Sequence, residues 1–238
     1  MIAATSLTRI FDRTVALSDI TLTIETGEMF ALIGPHAAGK TTFFRIISGL
    51  LHPTSGRLTM SHRAIGVVPQ RFSLDPGLSI DANLAQRVKL HDIDLATAGA
   101  RIRDLLAPTG LARCGTSLVA SLPAGMKQKL ALVAALLTKP DLLLLDDPTA
   151  GLDPLARCDF WHTLQQLRYD GLTIVVATPN IKDADHATRL GFLQQGRLID
   201  IGTHAEILPH YQRPMLDVPP GERSGSGLQR ALTEAVAC

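Results

Sequence analysis

The chain has 238 residues, enough for one large domain, or one domain with an inserted lobe, that buries a sizeable core. Hydrophobic residues make up 46% of it, which excludes a disordered protein. A formal net charge of +1 gives no support to binding of nucleic acid or of an acidic membrane surface. Aromatic residues are only 4%, which argues against a base-stacking platform for single-stranded nucleic acid.

Cysteine and hydropathy patterns bear on the compartment. Cys114, Cys158 and Cys238 form neither a disulfide framework nor a metal-binding spacing, which suits a reducing environment. The N-terminus lacks the basic segment and apolar core of a signal peptide. The longest apolar run, residues 130–137, is far shorter than the roughly 20 residues of a membrane span. We therefore expect a soluble protein whose membrane role would pass through a partner.

The first part of the chain is rich in strand signals and leads to a phosphate-binding motif. Residues 20–24 alternate apolar and polar side chains, and the apolar run 29–33 predicts a buried strand. The next segment matches the pattern G-x-x-x-x-G-K-[ST] and precedes residues 43–50, whose apolar spacing predicts a helix. The segment consists of Gly34, Pro35, His36, Ala37, Ala38, Gly39, Lys40, Thr41 and Thr42.

A strand, this loop and a helix are together what phosphate binding requires. Backbone N–H groups wrap the phosphate chain, and the helix directs its positive end at it. Gly39 would let the backbone approach closely, and Lys40 would reach the β- and γ-phosphates. The Thr41 hydroxyl would bind Mg²⁺.

Beyond the loop, strand and helix patterns alternate, with one helical interruption. Short strands are predicted at 57–60 and 64–68, followed by a loop at 71–77. Helical spacing then dominates from Ser79 to residue 113, which indicates a separate lobe. A further helix is predicted over 121–137, with Pro123 near its first turn, where proline is tolerated.

Residues 142–145 are four leucines, followed by Asp146 and Asp147. This pattern predicts a central parallel strand with carboxylates at its C-terminal end, where open α/β sheets bind ligands. Asp146 would hold Mg²⁺, directly or through water, opposite Thr41. The alternative is that the two carboxylates cap the next helix. A strand at 173–177 and a hairpin over 190–201 follow, and a tail rich in Pro, Gly and Ser ends the chain.

The order of P-loop, helical lobe and leucine-rich strand with paired acids resembles the nucleotide-binding subunit of ATP-binding cassette (ABC) transporters. The resemblance covers about residues 3–207, is most specific over 142–154, and is greatest to the drug-exporter and ABC-2-type branch, including the first cassette of tandem members. It implies an α/β fold: a P-loop NTPase core with a mostly parallel sheet, an N-terminal antiparallel β subdomain and an inserted helical lobe at about 71–125. The ATP-binding domain would be 1–207 and the flexible tail 208–238.

The resemblance assigns a role to each matching residue. Phe11 would stack on adenine, although a lone aromatic is otherwise most often a core residue. Gln70 would touch Mg²⁺ and the lytic water, and Asp147 would polarise that water. Gly125 would contact the ATP of the opposite subunit. Asp153 would lie at the dimer interface, and it can also cap the following helix.

The family also implies cofactors, partners and a location. The cofactors would be ATP and Mg²⁺. The partners would be a membrane permease and a second cassette, either identical or paralogous, with no nucleic acid involved. A translation-factor or DNA-repair cassette lacks support, because the chain has no basic patch and no coiled-coil insertion. The chain would then be cytoplasmic and peripheral on the inner face of the cell membrane.

Four departures from the family pattern fall on chemistry rather than on packing. Ala37 replaces a glycine, a mild change unless that position needs a positive φ. Asp147 stands where the family has a catalytic glutamate, and it is one methylene shorter. Pro123 replaces the signature serine and supplies neither a hydroxyl nor an N–H. Pro179 stands where the family has a switch histidine.

Two nearby residues do not replace that histidine. Asn180 could bond a phosphate but cannot act as an acid or base, and His186, seven residues after Pro179, is expected at the surface. We therefore predict an ATP-binding, ATPase-type exporter subunit whose hydrolysis is impaired by Asp147, Pro123 and Pro179. The alternative is a non-hydrolytic regulatory or structural half that pairs with an active cassette.

Overall fold

A computed structural model of the chain describes residues 1–211. These residues form nine strands and six α-helices, which divide between two compact units. The first unit comprises Met1, Glu25–Gly27 and Ser61–Val175. The second comprises Ile2–Ile24, Glu28–Met60 and the described residues from Val176 onwards. No helix within the described part of the chain is long and apolar enough to cross a membrane.

The second unit begins with an antiparallel sheet in the order β2-β1-β4. Its strands are β1 (Ile2–Phe11), β2 (Thr14–Ile24) and β4 (Ser55–Met60). The alternation of buried and exposed residues over 20–24 is the period of two that the sequence predicted, because one face of β2 packs inward. The predicted N-terminal antiparallel subdomain is confirmed.

The other strands of the second unit form one edge of a sheet that combines parallel and antiparallel pairs. From the end of β7 (Thr173–Thr178), the neighbouring strands are in order β3 (Met29–Ile33), β8 (Arg189–Gln194) and β9 (Arg197–Gly202). Strands β3 and β8 run parallel, and β8 and β9 form the predicted antiparallel hairpin. Every residue of β3 is buried, as expected for a strand covered on both faces. Helix α1 (Lys40–Ile47) follows β3, and α6 (His204–Tyr211) follows β9.

The first unit holds β5 (Ile65–Val68), β6 (Leu142–Asp146) and the start of β7, in that lateral order. Strands β5 and β6 are parallel, and the four leucines of β6 are fully buried. The predicted α/β class with a mostly parallel sheet is confirmed.

The helical part of the first unit contains α2 (Ile80–Leu90), α3 (Leu95–Leu106), α4 (Ala124–Leu136) and α5 (Pro154–Tyr169). Helix α2 starts after Ser79, as predicted, and the Ser79 hydroxyl caps it by accepting the N–H of Ala82. Helix α4 begins at Ala124 and not at residue 121, so the predicted start was wrong. Residues 119–121 form a 3₁₀ turn instead, and Pro123 is the N-cap with φ −56° and ψ 153°.

The domain boundaries drawn from the sequence stay a prediction. Helix α6 crosses the predicted start of the tail at residue 208. The remainder of the predicted tail, 212–238, lies outside the described residues.

Candidate functional site

The P-loop of the second unit connects β3 to α1 and is shaped by close backbone contacts. A Cβ on Gly34 would lie 2.0 Å from the backbone oxygen of Leu193, and one on Gly39 would lie 2.6 Å from that of Ala16. Gly39 also adopts φ 108°, in the left-handed region that favours glycine, and it is the N-cap of α1. The two glycines of the motif are therefore required by the fold of the loop itself.

The side chain of Lys40 is held against the backbone of this loop. Its side chain is buried, and its Nζ donates to the backbone oxygens of Gly34 at 2.7 Å and Pro35 at 2.8 Å. The ammonium group therefore lies near the first backbone N–H groups of α1, which starts at Lys40. A cation beside a helix N-terminus suits an anionic group such as a phosphate chain.

The outer side of the loop is open to solvent. Pro35, His36 and Ala37 are exposed, Ala38 is buried, and Thr41 and Thr42 are half-buried in the first turn of α1. The nine residues of the predicted motif therefore form one loop–helix junction with an accessible rim.

Ala37 occupies a position where the backbone needs a positive φ. Its φ is 62°, so this position lies in the left-handed region. The family's glycine would adopt this conformation without strain, whereas a Cβ there is unfavourable. The substitution at Ala37 is consequently not conformationally neutral.

Phe11 ends β1 and is not a core residue, so the core alternative was wrong. The side chain is 38% exposed, and the guanidinium carbon of Arg9 lies 4.5 Å from its ring centroid. An exposed aromatic ring is available for stacking, although adenine binding by Phe11 stays a prediction.

The segment after β7 is held by a local hydrogen-bond network. The hydroxyl of Thr178 donates to the buried carboxylate of Asp183 at 2.8 Å and accepts the N–H of Asn180 at 3.0 Å. The side-chain oxygen of Asn180 accepts the N–H of Lys182 and caps the 3₁₀ helix Ile181–His186. Capping engages only the side-chain oxygen of Asn180, and the amide N–H₂ is the group that could donate to a phosphate.

His186 ends this 3₁₀ helix and is half-buried, so its predicted surface position was wrong. Burial lowers the pKa of its imidazole, although Asp183 and Asp185 act in the opposite direction.

The first unit carries the predicted carboxylates and glutamine at one end of its parallel strands. Val68 of β5 pairs with Leu145 of β6, so Asp146, which ends β6, and Gln70, two residues after β5, lie at the C-terminal ends of paired parallel strands. Asp146 is buried, whereas Gln70 is exposed. Ligands of α/β sheets bind at this end of the strands.

Asp147 is half-buried and has φ 51°, again in the left-handed region. Aspartate tolerates this conformation better than most residues that carry a side chain. The backbone at this position therefore suits the aspartate found here rather than a glutamate. The helix after this segment is capped by another carboxylate, since Asp153 Oδ1 accepts the N–H of Ala156 at 2.9 Å. The predicted capping role of Asp153 is confirmed.

The segment that corresponds to the family's signature, residues 121–129, includes the start of α4. Gly125 is packed against α5, because a Cβ on it would lie 2.9 Å from the Cβ of Ala156. Pro123 makes no side-chain cap, and Lys127 Nζ donates to the backbone oxygen of Ala120 at 3.0 Å. The N-terminus of α4 thus lacks the hydroxyl that the family pattern supplies.

The sequence did not indicate how the loop after Gln70 is fixed. Asn83 of α2 is buried. Its side-chain oxygen accepts the backbone N–H of Asp75, and its side-chain N–H₂ donates to the backbone oxygens of Asp75 and Ser79. The same loop pairs with the segment before the signature, since Ala120 N–H donates to the oxygen of Pro76 at 2.9 Å. A polar residue on the apolar face of α2 was the only available signal for this role.

The P-loop residues lie in one unit, and Gln70, Asp146, Asp147 and the signature segment lie in the other. Thr41 belongs to the second unit, whereas Asp146 and Gln70 belong to the first. Their joint binding of Mg²⁺ stays a prediction.

Comparison with known proteins identifies the family of the chain. The family model described as ABC transporter matches residues 17–150. The probable multidrug ABC transporter ATP-binding protein YbhF of Escherichia coli (strain K12) is 33% identical over 218 residues, which are 87% of this chain and 38% of that protein. The chain therefore spans well under half the length of that relative.

Two further relatives are matched over more of their length. The linearmycin resistance ATP-binding protein LnrL of Bacillus subtilis (strain 168) is 30% identical, over 87% of this chain and 70% of that protein. The daunorubicin resistance ATP-binding protein DrrA3 of Streptomyces coeruleorubidus is 34% identical, over 91% of this chain and 72% of that protein.

Solved structures are similar as well. The cbiO1 component of the ABC transporter complex cbiONQ from Clostridium perfringens has a TM-score of 0.79 and 27% identity, over 87% of this chain and 90% of that one. A dimeric structure of the bacterial ABC transporter cassette MJ0796 has a TM-score of 0.77 and 26% identity, over 85% and 98% of the two chains. With its P-loop geometry, its family match and these relatives, the chain belongs to the ABC transporter family as an ATP-binding domain.

Proposed function

We propose that the chain is the ATP-binding subunit of an ABC exporter, and that its own catalytic groups support slow hydrolysis. The observation that carries the proposal is the P-loop, with its closely packed glycines and with Lys40 held over the backbone. Relatives named for multidrug, linearmycin and daunorubicin resistance support the exporter branch. A permease would supply the membrane path, and the chain would lie on its cytoplasmic side.

In this proposal each site residue has a distinct task. Phe11 stacks on adenine, and the backbone of residues 34–42 with Lys40 binds the phosphates. Thr41, Asp146 and Gln70 would hold Mg²⁺, which neutralises phosphate charge when bound. Asp147 orients the water that attacks the γ-phosphate.

Gly125 and the α4 N-terminus act across the dimer on the nucleotide of a second cassette. A dimer of MJ0796 bound to ADP and Pi among the similar structures supports a two-cassette assembly.

Three residues argue for slow turnover. Asp147 is one methylene shorter than glutamate, and a loss of about one ångström of reach can reduce a rate by roughly a hundredfold. Pro123 gives the opposite nucleotide no hydroxyl. Pro179 provides no acid or base beside the γ-phosphate, and the amide of neighbouring Asn180 cannot act as one.

The same three residues favour a second candidate, a half that binds ATP without hydrolysing it and regulates an active cassette. The two candidates differ in one measurable property, the steady-state turnover of bound ATP. Reversion of single residues separates a slow site from a disabled one.

The test measures Mg·ATP binding and steady-state ATPase rate of the full chain beside Asp147→Glu. Asp104→Glu, which lengthens an exposed carboxylate on α3, is the matched control. Lys40→Ala should lose most ATP binding, because it removes the cation of the loop. We expect the wild-type chain to bind ATP and turn over slowly, and Asp147→Glu alone to raise the rate.

The other outcomes separate the candidates. If ATP binds and neither chain turns over, Pro123→Ser and Pro179→His are tested next, and failure of all three reversions supports the non-hydrolytic half. If the wild-type chain binds no ATP, both candidates are wrong.

A further inference from the structure

The exposed aromatic ring of Phe11 is not alone at the end of β1. The guanidinium carbon of Arg9 lies 4.5 Å from the ring centroid, within the range of a cation–π contact. Arg9 Nη1 also donates to the backbone oxygen of His52 at 3.0 Å. The guanidinium is therefore held by a hydrogen bond to His52, and its central carbon lies over the Phe11 ring.

This contact leaves part of the ring accessible. Phe11 keeps 38% of its surface exposed although Arg9 lies against it. A planar guanidinium that stacks on one side of an aromatic ring restricts the ring's rotation. A ring held in one orientation loses less conformational entropy when a second planar group stacks on it.

Arg9 carries one group that does not stabilise the hairpin. Its Nε is buried and has no hydrogen-bond partner among the residues that the structure describes. A buried donor without a partner lowers stability. The arrangement instead favours a role that depends on the ring beneath the guanidinium.

We propose that Arg9 is a positioning residue for the nucleobase. It holds the Phe11 ring in the orientation that stacks on the purine of ATP, and it does not contact the phosphates. The proposal rests on the proposed function, in which Phe11 stacks on adenine. It adds that recognition of the base depends on a tethered arginine as well as on the aromatic ring.

The test compares binding of ATP and of inorganic tripolyphosphate to the full chain by isothermal titration calorimetry. The variants are Arg9→Ala, Phe11→Ala and the double variant. Arg13→Ala is the matched control, since it removes the same charge from an exposed position in the same hairpin. Arg9→Lys keeps the charge and loses the planar group.

We expect Arg9→Ala to weaken ATP binding by about three- to tenfold and to leave tripolyphosphate binding unchanged. Arg9→Lys should fall between the wild-type chain and Arg9→Ala, and Arg13→Ala should bind ATP like the wild-type chain. In the Phe11→Ala background, Arg9→Ala should have no further effect, because the ring through which it acts is gone.

Several results would overturn the proposal. Equal loss of ATP and tripolyphosphate binding in Arg9→Ala would assign the arginine to the phosphates. A full Arg9→Ala effect without the Phe11 ring would show that it acts by another route. Unchanged ATP binding in Arg9→Ala, with an intact wild-type site, would refute this role alone. A wild-type chain that binds no ATP would refute the proposed function as well.

Discussion

Replacing Ala37 by glycine should make the chain more stable, although it removes a methyl group. The backbone at this position has φ 62°, where the Cβ of an L-residue approaches the following carbonyl oxygen. Relief of that contact contributes about 1–2 kcal/mol to the free energy of unfolding. The greater freedom of glycine in the unfolded chain opposes it by about 0.4–1 kcal/mol. The net expectation is a gain of about 0.5–1 kcal/mol.

The measurement is urea unfolding of Ala37→Gly and the wild-type chain without nucleotide, because a bound ligand would add its own stabilisation. A gain of this size raises the melting temperature by about 1–4 °C for a chain of this length. The matched control is Ala38→Gly, one residue later. Ala38 is buried and its φ is not positive, so this variant loses a packed methyl group and should be destabilised by about 1–2 kcal/mol.

The sign of the Ala37 effect tests the reasoning. If Ala37→Gly loses stability as Ala38→Gly does, the loop backbone at residue 37 is not left-handed in solution. The argument that this substitution strains the P-loop would then fail. If Ala37→Gly gains stability while Ala38→Gly loses it, the methyl group at residue 37 carries the strain inferred from its φ.

Three further substitutions test other contacts. Asn83→Ala should lower the free energy of unfolding by about 2–3 kcal/mol, since it leaves buried backbone groups unpaired; a urea midpoint equal to that of the wild-type chain would contradict this. Arg101→Ala should lose about 1–2 kcal/mol, because its guanidinium bonds the last carbonyls of α4, whereas exposed Arg103→Ala should stay within about 0.5 kcal/mol of wild type. His186→Gln should reduce the loss of stability that acidification causes. Burial lowers the pKa of His186, so the neutral imidazole makes its full contribution to stability above the ordinary pKa of 6.5. That contribution is lost as the pH falls from 6.5 towards the lowered pKa. An unchanged slope of stability against pH below 6.5 in that variant would refute the assignment.

The parts of the fold that the sequence predicted well are those set by local pattern. The apolar run 29–33 became β3 with the predicted bounds, and the four leucines became the buried strand β6. Ser79 and Asp153 marked helix starts correctly, because a capping side chain acts on backbone groups two or three residues away. These features depend on residues that are neighbours in the chain, so a single sequence is enough to predict them.

The features that were missed depend on tertiary contacts. The left-handed conformation of Ala37 has no signal in its residue type, and the aspartate at position 147 gives only a weak signal. The role of Asn83 required a loop to fold back over α2. Half-burial of His186 followed from the packing of a 3₁₀ helix that no periodicity predicted. The sequence predicted which residues belong to the candidate site, but it did not predict their backbone conformations or their burial.

The departures from the family pattern are compatible with the fold at the positions where they occur. Pro123 precedes α4 with φ −56° and ψ 153°, a conformation open to serine as well as proline. Pro123→Ser should therefore keep the fold and add a helix cap that contributes about 1 kcal/mol. At Asp147 the left-handed backbone favours aspartate, so Asp147→Glu should lose a few tenths of a kcal/mol, roughly, while gaining reach. Because both reversions change stability only slightly, a gain in turnover from either would report on chemistry and not on folding.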